Sequence, residues 1–317
     1  MQTHTTSLAP LTDLLQISDL DEEQFARLLE LAAVMKHAPE SWWTHTLEGR
    51  TVAMFFEKPS TRTRVSFAAA CHRLGMQPLL LRPDELQIGR GETVADTART
   101  LASYCAAIVI RTFGQELVEE VARYSAAPVV NALTDSHHPC QALADMLTLK
   151  ERYGGLEGLR LAYVGDSDNV ARSLMEAGAL SGVHVVVAAP PAYAPDVTAR
   201  RAIADHAHHA HVSVVDDPRA AVEGANAVYT DVWVSMGTEA DTAARMRALE
   251  PYRVTPELMA LAAPDAVFMH CLPAHRGEEV AAEVIDGPAS AVWQQAANRM
   301  PTEQALLYVL VSGRWRS

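Results

Sequence analysis

Short apolar runs alternate with helical patterns along the whole chain, and no other feature limits the possible folds as strongly. In the first half, the apolar runs cover residues 51–56, 78–81, 107–111 and 128–131, and the helical patterns cover 65–74, 95–104, 115–124 and 140–153. Strands that alternate with helices are joined by crossover connections, which build parallel sheets. We therefore predict an α/β fold.

A cluster of glycines interrupts this alternation near the middle of the chain. Gly154, Gly155 and Gly158 indicate a connector, because glycine commonly separates elements. Beyond it, strands are predicted at 159–164, 183–188, 212–215, 227–230 and 267–270, and helices at 169–181 and 293–313. We predict two domains, 1–153 and 154–296, with the C-terminal helix, 297–317, packing back onto the first. Each domain is expected to be a parallel sheet flanked by helices, with the active site in the cleft between them.

Composition limits the partners and the compartment of the chain. The 39 acidic against 26 basic side chains give a net charge of −13, and such a chain repels a nucleic-acid backbone. No run approaches the roughly 18 apolar residues of a membrane-spanning helix, and the N-terminus lacks a secretory pattern. The four cysteines form no CxxC pair, which is typical of reduced thiols. We therefore expect a cytoplasmic protein with neither a nucleic-acid nor a membrane partner.

The strongest motif is STRTR at residues 60–64, where a predicted strand ends and a helix begins. Free backbone N–H groups and the helix dipole make such a junction a binding site for anions. Ser60, Thr61 and Thr63 add hydroxyl groups, and Arg62 adds a guanidinium that matches phosphate oxygens. The alternative is a capped helix with solvated arginines, but these side chains exceed what a cap requires.

Two further polar positions follow predicted strands in the first half. Arg111 ends the strand 107–111, at the edge where ligands of parallel sheets bind. A surface arginine is the competing interpretation. His138 and Gln141 lie in the segment HPCQ before a helix. They could contact a carbonyl oxygen and an amide, and a purely structural role for the histidine is equally compatible with the sequence.

The second half places polar side chains after three predicted strands. Asn169 follows the first and could bind an amino acid or cap a helix. Asp231 follows another and opens DVWVSMG, which precedes a polar stretch, 238–250, predicted to be a lid or a surface loop. Cys271 follows the strand 267–270. Since no activating base is evident, we predict that it is a wall of the pocket rather than a nucleophile.

A run of histidines resembles a metal site at first sight. His206, His208, His209 and His211 occur in a polar segment without cysteine partners. Their spacing matches neither HExxH nor a zinc finger. We interpret them as a solvated surface and predict no metal ion.

Together, STRTR, HPxQ at residues 138–141 and HCLP at residues 270–273 resemble the aspartate/ornithine carbamoyltransferase family in order and spacing. The similarity runs from about Leu11 to Leu310, and DxWxSMG with HCLP is similar to the ornithine branch. The resemblance implies that the carbamoyl group of carbamoyl phosphate is transferred to the δ-amine of L-ornithine, without a cofactor. The products would be L-citrulline and phosphate, in arginine biosynthesis. A family of this kind also implies a homotrimer.

The resemblance further implies a role for each matching residue. The carbamoyl-phosphate set is Ser60, Thr61, Arg62, Thr63, Gln87, Arg111, His138, Gln141, Cys271, Leu272 and Arg299. The ornithine set is Asn169, Asp231, Ser235 and Met236. The catalytic residues would be Arg62, Arg111, His138, Asp231 and Cys271. In such a family Gln141 holds the carbamoyl amide, and the segment around Gln87 reaches the phosphate site of a neighbouring subunit.

Two alternative functions remain open at the level of sequence. One is a related carbamoyltransferase that uses putrescine or N-acetylornithine. Putrescine has no α-carboxylate, so the ornithine set would have nothing to hold at that end. The other is a two-lobed binding protein of the periplasmic kind, which the missing secretory pattern disfavours.

Overall fold

The computed structural model describes residues 8–87, 91–197, 200–201, 203, 212–234 and 242–315. The chain forms two compact units, Met1–Asp135 with Arg299–Ser317, and Ser136–Asn298. The domain boundaries predicted from the sequence lie after residues 153 and 296. The two units differ from the predicted domains chiefly in the helix over 139–153, which lies in the second unit. That helix packs against the helix over 169–181, which belongs to the second unit.

The first unit contains a parallel sheet of four strands in the order β2-β1-β3-β4. The strands are β1 (Thr51–Phe56), β2 (Gln77–Leu81), β3 (Ala107–Arg111) and β4 (Val129–Leu133). β1 and β3 are buried along almost their whole length, as expected of strands covered on both faces. Their register pairs Phe56 with Arg111, so the two strands end side by side.

Among the described residues, four α-helices precede or separate these strands: α1 (Glu22–His37), α2 (Arg62–Arg73), α3 (Val94–Tyr104) and α4 (Gln115–Tyr124). The sequence analysis does not predict α1. Its start is nevertheless encoded locally, since the Asp21 side chain accepts from the Gln24 backbone and the Gln24 side chain accepts from the Asp21 backbone. The helix buries Phe25, Leu28 and Met35 completely, and this burial supplies its tertiary stability.

The second unit contains a parallel sheet of five strands in the order β7-β6-β5-β8-β9. The strands are β5 (Arg160–Val164), β6 (His184–Ala188), β7 (Val212–Val215), β8 (Ala227–Thr230) and β9 (Val267–His270). The predicted fold class, two parallel sheets flanked by helices, is therefore confirmed.

The helices described from the second unit onward are α5 (Pro139–Tyr153), α6 (Asn169–Ser181), α7 (Pro218–Val222), α8 (Thr242–Leu249), α9 (Pro256–Met259), α10 (Ala282–Ile285) and α11 (Val292–Ser312). The stretch 238–250 is partly helical rather than a loop, because it contains α8. The residues of α11 up to Asn298 belong to the second unit and the rest to the first. Within the described ranges, no helix combines the length and apolar character needed to cross a bilayer.

Candidate active site

Several of the predicted site residues follow the strands at which each sheet reverses its strand order. In the first unit, β2 lies on one side of β1 and β3 on the other, and in the second unit β6 and β8 flank β5. At such a reversal the loops leaving the two central strands diverge and open a crevice beyond their carboxyl ends. STRTR follows β1 and Arg111 ends β3, whereas Asn169 follows β5 and Asp231 follows β8.

The turn after β1 is organised by its own hydroxyl groups. Ser60 Oγ accepts a hydrogen bond from the Thr63 backbone N–H at 3.2 Å. This bond supports the first turn of α2, which begins at Arg62, three residues before the predicted start. Thr61 is exposed, Arg62 is half-buried and Thr63 is buried. Arg62 thus stands at a helix N-terminus, where an anion is expected to bind.

Arg299 reaches this turn from α11. Its Nη2 atom donates to Thr63 Oγ1 at 3.2 Å and to Glu303 Oε1 at 2.9 Å, and its Nε donates to the same Glu303 oxygen at 3.1 Å. The arginine and the glutamate are both almost fully buried. Burial raises the pKa of Glu303 to about 7, although Arg299 and Ser66 oppose this shift. The sequence analysis did not identify Glu303, which its spacing of four residues from Arg299 could have indicated.

Arg111 is 8% exposed and ends β3. The neighbouring backbone is held by polar contacts, since Glu57 N–H donates to Arg111 O at 2.9 Å and Thr112 Oγ1 donates to the Glu57 carboxylate. Lys58, which the sequence analysis did not single out, is buried, pairs with Asp135 and lies 4.1 Å from the Phe113 ring centroid. These contacts brace the loops on both sides of the turn.

Gln87 is exposed, and its segment continues into residues 88–90, which lie outside the described residues. Ser235, Met236 and the histidine run 206–211 also lie outside the described residues.

His138 caps α5 in the second unit. It is 5% exposed, and its backbone N–H donates to Ser173 Oγ at 2.8 Å. The adjacent His137 lies 3.2 Å from Glu176. Pro139 occupies the first helical position, where its missing N–H is tolerated and its fixed φ suits a helix start.

Gln141 lies one turn into α5 and belongs to a buried polar network. Its Nε2 donates to Asp145 Oδ1 at 2.8 Å, and Gln295 Nε2 donates to the same oxygen at 2.7 Å. The sequence analysis identified neither Asp145 nor Gln295. Asp145 could have been inferred from its position four residues after Gln141. Gln295 is separated by 150 residues from Asp145, so only the tertiary fold brings it there.

Asp231 and Cys271 meet at the ends of β8 and β9. The Cys271 thiol donates to Asp231 Oδ1 at 2.8 Å, and the Val232 N–H donates to the same oxygen at 2.7 Å. Burial, and then the charge of Asp231, raise the pKa of the Cys271 thiol well above its usual range. A thiol kept protonated in this way is a poor nucleophile.

Asp168, the residue that caps α6, interacts with Asp231. Burial raises the pKa of both carboxyl groups, and Asp168 raises that of Asp231 further. Two neighbouring carboxyl groups of this kind favour either a shared proton or a bound cation. The sequence favours Asn169, a half-buried residue at the first position of α6, over its neighbour Asp168 as a ligand-binding residue.

His270 and Leu272 complete the HCLP segment. The Leu272 N–H donates to His270 Nδ1 at 2.8 Å, so Nε2 carries the proton and faces Glu279 Oε1 at 3.3 Å. Asp231, His270 and Cys271 bring ligand atoms within 4.8 Å of one another. Hydrogen bonds engage both ring nitrogens of His270. Leu272 adopts a φ of 60°, a conformation that a branched side chain rarely takes.

Two family models together match most of the chain. The carbamoyl-phosphate-binding domain of aspartate/ornithine carbamoyltransferase matches residues 12–151, and the Asp/Orn-binding domain matches residues 157–310. The chain belongs to the aspartate/ornithine carbamoyltransferase family. The resemblance seen in the motifs is thereby confirmed.

Relatives within this carbamoyltransferase family match over nearly the whole chain. The ornithine carbamoyltransferase of Acidothermus cellulolyticus is 54% identical over 296 residues, which cover 92% of this chain and 94% of that protein. The ornithine carbamoyltransferase of Pyrococcus furiosus has a similar structure, with a TM-score of 0.92, 45% identity, and 96% and 98% of the two chains covered. The anabolic ornithine carbamoyltransferase of Campylobacter jejuni has a TM-score of 0.90 at 34% identity, covering 96% of this chain and 100% of that one.

Proposed function

We propose that this carbamoyltransferase moves the carbamoyl group of carbamoyl phosphate to the δ-amine of L-ornithine, giving L-citrulline and phosphate. The observation that carries the proposal is that STRTR and Arg111 follow the two strands at the reversal of one sheet, while Asn169 and Asp231 follow those at the reversal of the other. Relatives named ornithine carbamoyltransferase match both halves of the chain, which supports the choice of amine.

Carbamoyl phosphate is assigned to the α2 N-terminus. The helix N–H groups, the hydroxyls of the Ser60–Thr63 turn and the Arg62 guanidinium suit a phosphate dianion. Arg111 and Arg299 supply further positive charge near the ends of β3 and α2. Charge neutralisation of this kind stabilises the departing phosphate, and each donor typically contributes about 10²–10³ in turnover.

Ornithine is assigned to the ends of β5, β8 and β9. The acidic pair of Asp168 and Asp231 would bind the α-ammonium group, because a bound cation favours the ionised carboxylates whose pKa burial raises. Asn169, Ser235 and Met236 are assigned to the rest of the amino-acid end, and Cys271 with Leu272 borders the δ-amine. A neutral amine attacks the carbonyl carbon directly, so alignment of the reactants supplies much of the rate.

The alternative amines are disfavoured by the same residues. Putrescine lacks the α-carboxylate, and N-acetylornithine lacks the α-ammonium group that the acidic pair would bind. Steady-state rates with ornithine, putrescine, N-acetylornithine and aspartate test the choice. We expect ornithine to have the highest kcat/KM, and an equal value for putrescine would contradict the proposal.

The phosphate assignment is tested by Arg62→Ala, with Arg64→Ala as the matched control. Arg64 lies in the same helix turn, but its guanidinium carbon is 5.8 Å from the Phe56 ring centroid. We expect the Arg62 variant to lose at least 100-fold in kcat/KM while its circular dichroism stays unchanged, and the control to retain most of its activity. Retained turnover in the Arg62 variant would remove this segment from the phosphate site.

We also assign a homotrimer in which Gln87, an exposed residue, contributes to the phosphate site of a neighbouring copy. Light scattering measures the mass of the assembly. Mixing Gln87→Ala and Arg62→Ala chains should restore activity in hybrids, because some interfaces then combine two intact contributions. A monomer, or hybrids without recovery, would refute this arrangement.

Cytoplasmic arginine biosynthesis is the setting we assign to the reaction. The four cysteines are free thiols, as a reducing compartment requires. We expect expression of this chain, with no secretion signal added, to restore the growth of an arginine auxotroph that lacks its own citrulline-forming enzyme. A purified enzyme that is active but gives no rescue would argue for a degradative role.

A further inference from the structure

Gln295 has its amide orientation fixed by three hydrogen bonds. Its Oε1 accepts the His270 backbone N–H at 3.0 Å, and its Nε2 donates to Asp145 Oδ1 at 2.7 Å and to the Tyr229 hydroxyl at 3.0 Å. Rotating the amide by half a turn would place two donors against each other at His270 and two acceptors at Asp145. A buried side chain does not tolerate such a pair of lost bonds.

The orientation of Gln295 determines that of Gln141 through one shared atom. Asp145 Oδ1 accepts from Gln295 Nε2 and from Gln141 Nε2, at 2.7 Å and 2.8 Å. Asp145 must present an acceptor there, so Gln141 must present its NH2 group to Asp145. The carbonyl oxygen of Gln141 then occupies the opposite end of the amide.

Burial makes this arrangement rigid and selective. Asp145 is 0%, Gln295 1% and Gln141 2% exposed, so water cannot replace the bonds that a rotated amide would lose. Burial, and then the charge of Asp145, raise the pKa of Tyr229 well above 10, so its hydroxyl keeps its proton.

We propose that Asp145 and Gln295 are positioning residues that orient Gln141 to offer an acceptor to the carbamoyl NH2 group, and thereby select carbamoyl phosphate over acyl phosphates. The inference rests on the proposed role of Gln141 in binding the carbamoyl amide. Acetyl phosphate is nearly the same shape, but a methyl group replaces the NH2 group and cannot donate. A site built to hydrogen-bond a substrate NH2 group rejects the analogue that lacks it.

Gln295→Met is the first test, since methionine has a similar length but no hydrogen-bonding amide. We expect the KM for carbamoyl phosphate to rise about tenfold, which corresponds to one lost hydrogen bond of about 1.4 kcal/mol. The inhibition constant of acetyl phosphate, measured in competition with carbamoyl phosphate, should change less than twofold. The ratio of the two constants does not depend on the fraction of active protein.

Gln295→Leu is the second variant and decides the matter if the methionine variant does not fold. Its side chain can neither donate to Asp145 nor accept the His270 N–H, so the same loss of selectivity is expected. Asn298→Leu is the matched control. Asn298 lies on α11, three residues beyond Gln295, and its side-chain NH2 group donates to Thr148 and Glu151 of α5.

If Gln295 had a merely structural role, its substitution would weaken the binding of carbamoyl phosphate and acetyl phosphate equally, or the Asn298 control would show the same change in the ratio. Either result overturns the inference. An unchanged ratio in both Gln295 variants also overturns it. These failures differ from failure of the proposed function, which would appear as wild-type protein that forms no citrulline from ornithine.

Discussion

The buried carboxyl group of Glu303, which pairs with Arg299, leads to a quantitative prediction of how the free energy of unfolding changes with pH. Glu303 is 1% exposed, and burial raises its pKa from 4.5 to about 7 despite the neighbouring guanidinium. Because the folded-state pKa is the higher one, the folded protein binds the proton more tightly than the unfolded chain. The associated stability is fully present below about pH 4.5 and is lost as the pH rises through about 7.

Glu303→Gln imitates the protonated carboxyl at every pH and should remove this dependence. A shift of about 2.5 units at 1.36 kcal/mol per unit is about 3 kcal/mol in total, of which about 2.5 kcal/mol falls between pH 5 and 8. Urea denaturation at pH 5, 6, 7 and 8 measures the free energy of unfolding. The wild-type value minus the variant value should fall by about that amount across the series.

Glu119→Gln is the control, because it removes an equal formal charge from an exposed position on α4. Its stability should follow that of the wild type at every pH. Parallel curves for the wild type and the Glu303 variant would refute the reasoning, since they would mean that Glu303 has the same pKa in both states.

Three further predictions concern local contacts. Ser60→Ala removes the side-chain acceptor of the Thr63 N–H and should lower the free energy of unfolding, measured in urea, by about 1 kcal/mol. No change would exclude a stabilising role for this bond. Cys271 should react with iodoacetamide at pH 8 more slowly than free cysteine does. Asp231→Asn should accelerate the reaction of Cys271, because a neighbouring charge is lost. Mass spectrometry measures both rates, and equal rates in the variant and the wild type would contradict this. Met54→Ala, in the fully buried centre of β1, should destabilise by about 2–5 kcal/mol, and a loss below about 1 kcal/mol would indicate a looser core.

Local patterns were sufficient to predict most of the elements. β1, β3 and α4 begin and end at the predicted residues, because an apolar run or a helical period records which faces are buried. α1 was missed although its capping box is local. The segment 242–249 is helical, although its polar composition indicates a lid or a surface loop. Composition alone does not distinguish a short polar helix from a turn.

The candidate site was predictable to the extent that its residues follow strands. Ser60, Thr63 and Arg111 stand at strand ends, and parallel strands bring such ends to one edge. The supporting side chains were less predictable. Asp145 and Glu303 are each one helical turn from a predicted site residue, so their spacing is a local signal for them.

The amino-acid sequence by itself determined the α/β class, the family and the turn that opens α2, because periodicity and motifs are properties of neighbouring residues. Tertiary structure alone decided which distant groups share a proton or a hydrogen bond. Gln295 meets Asp145 across 150 residues and Arg299 meets Thr63 across 236. Burial of those contacts, which no local pattern records, sets the pKa of Glu303 and the orientation of the Gln141 amide.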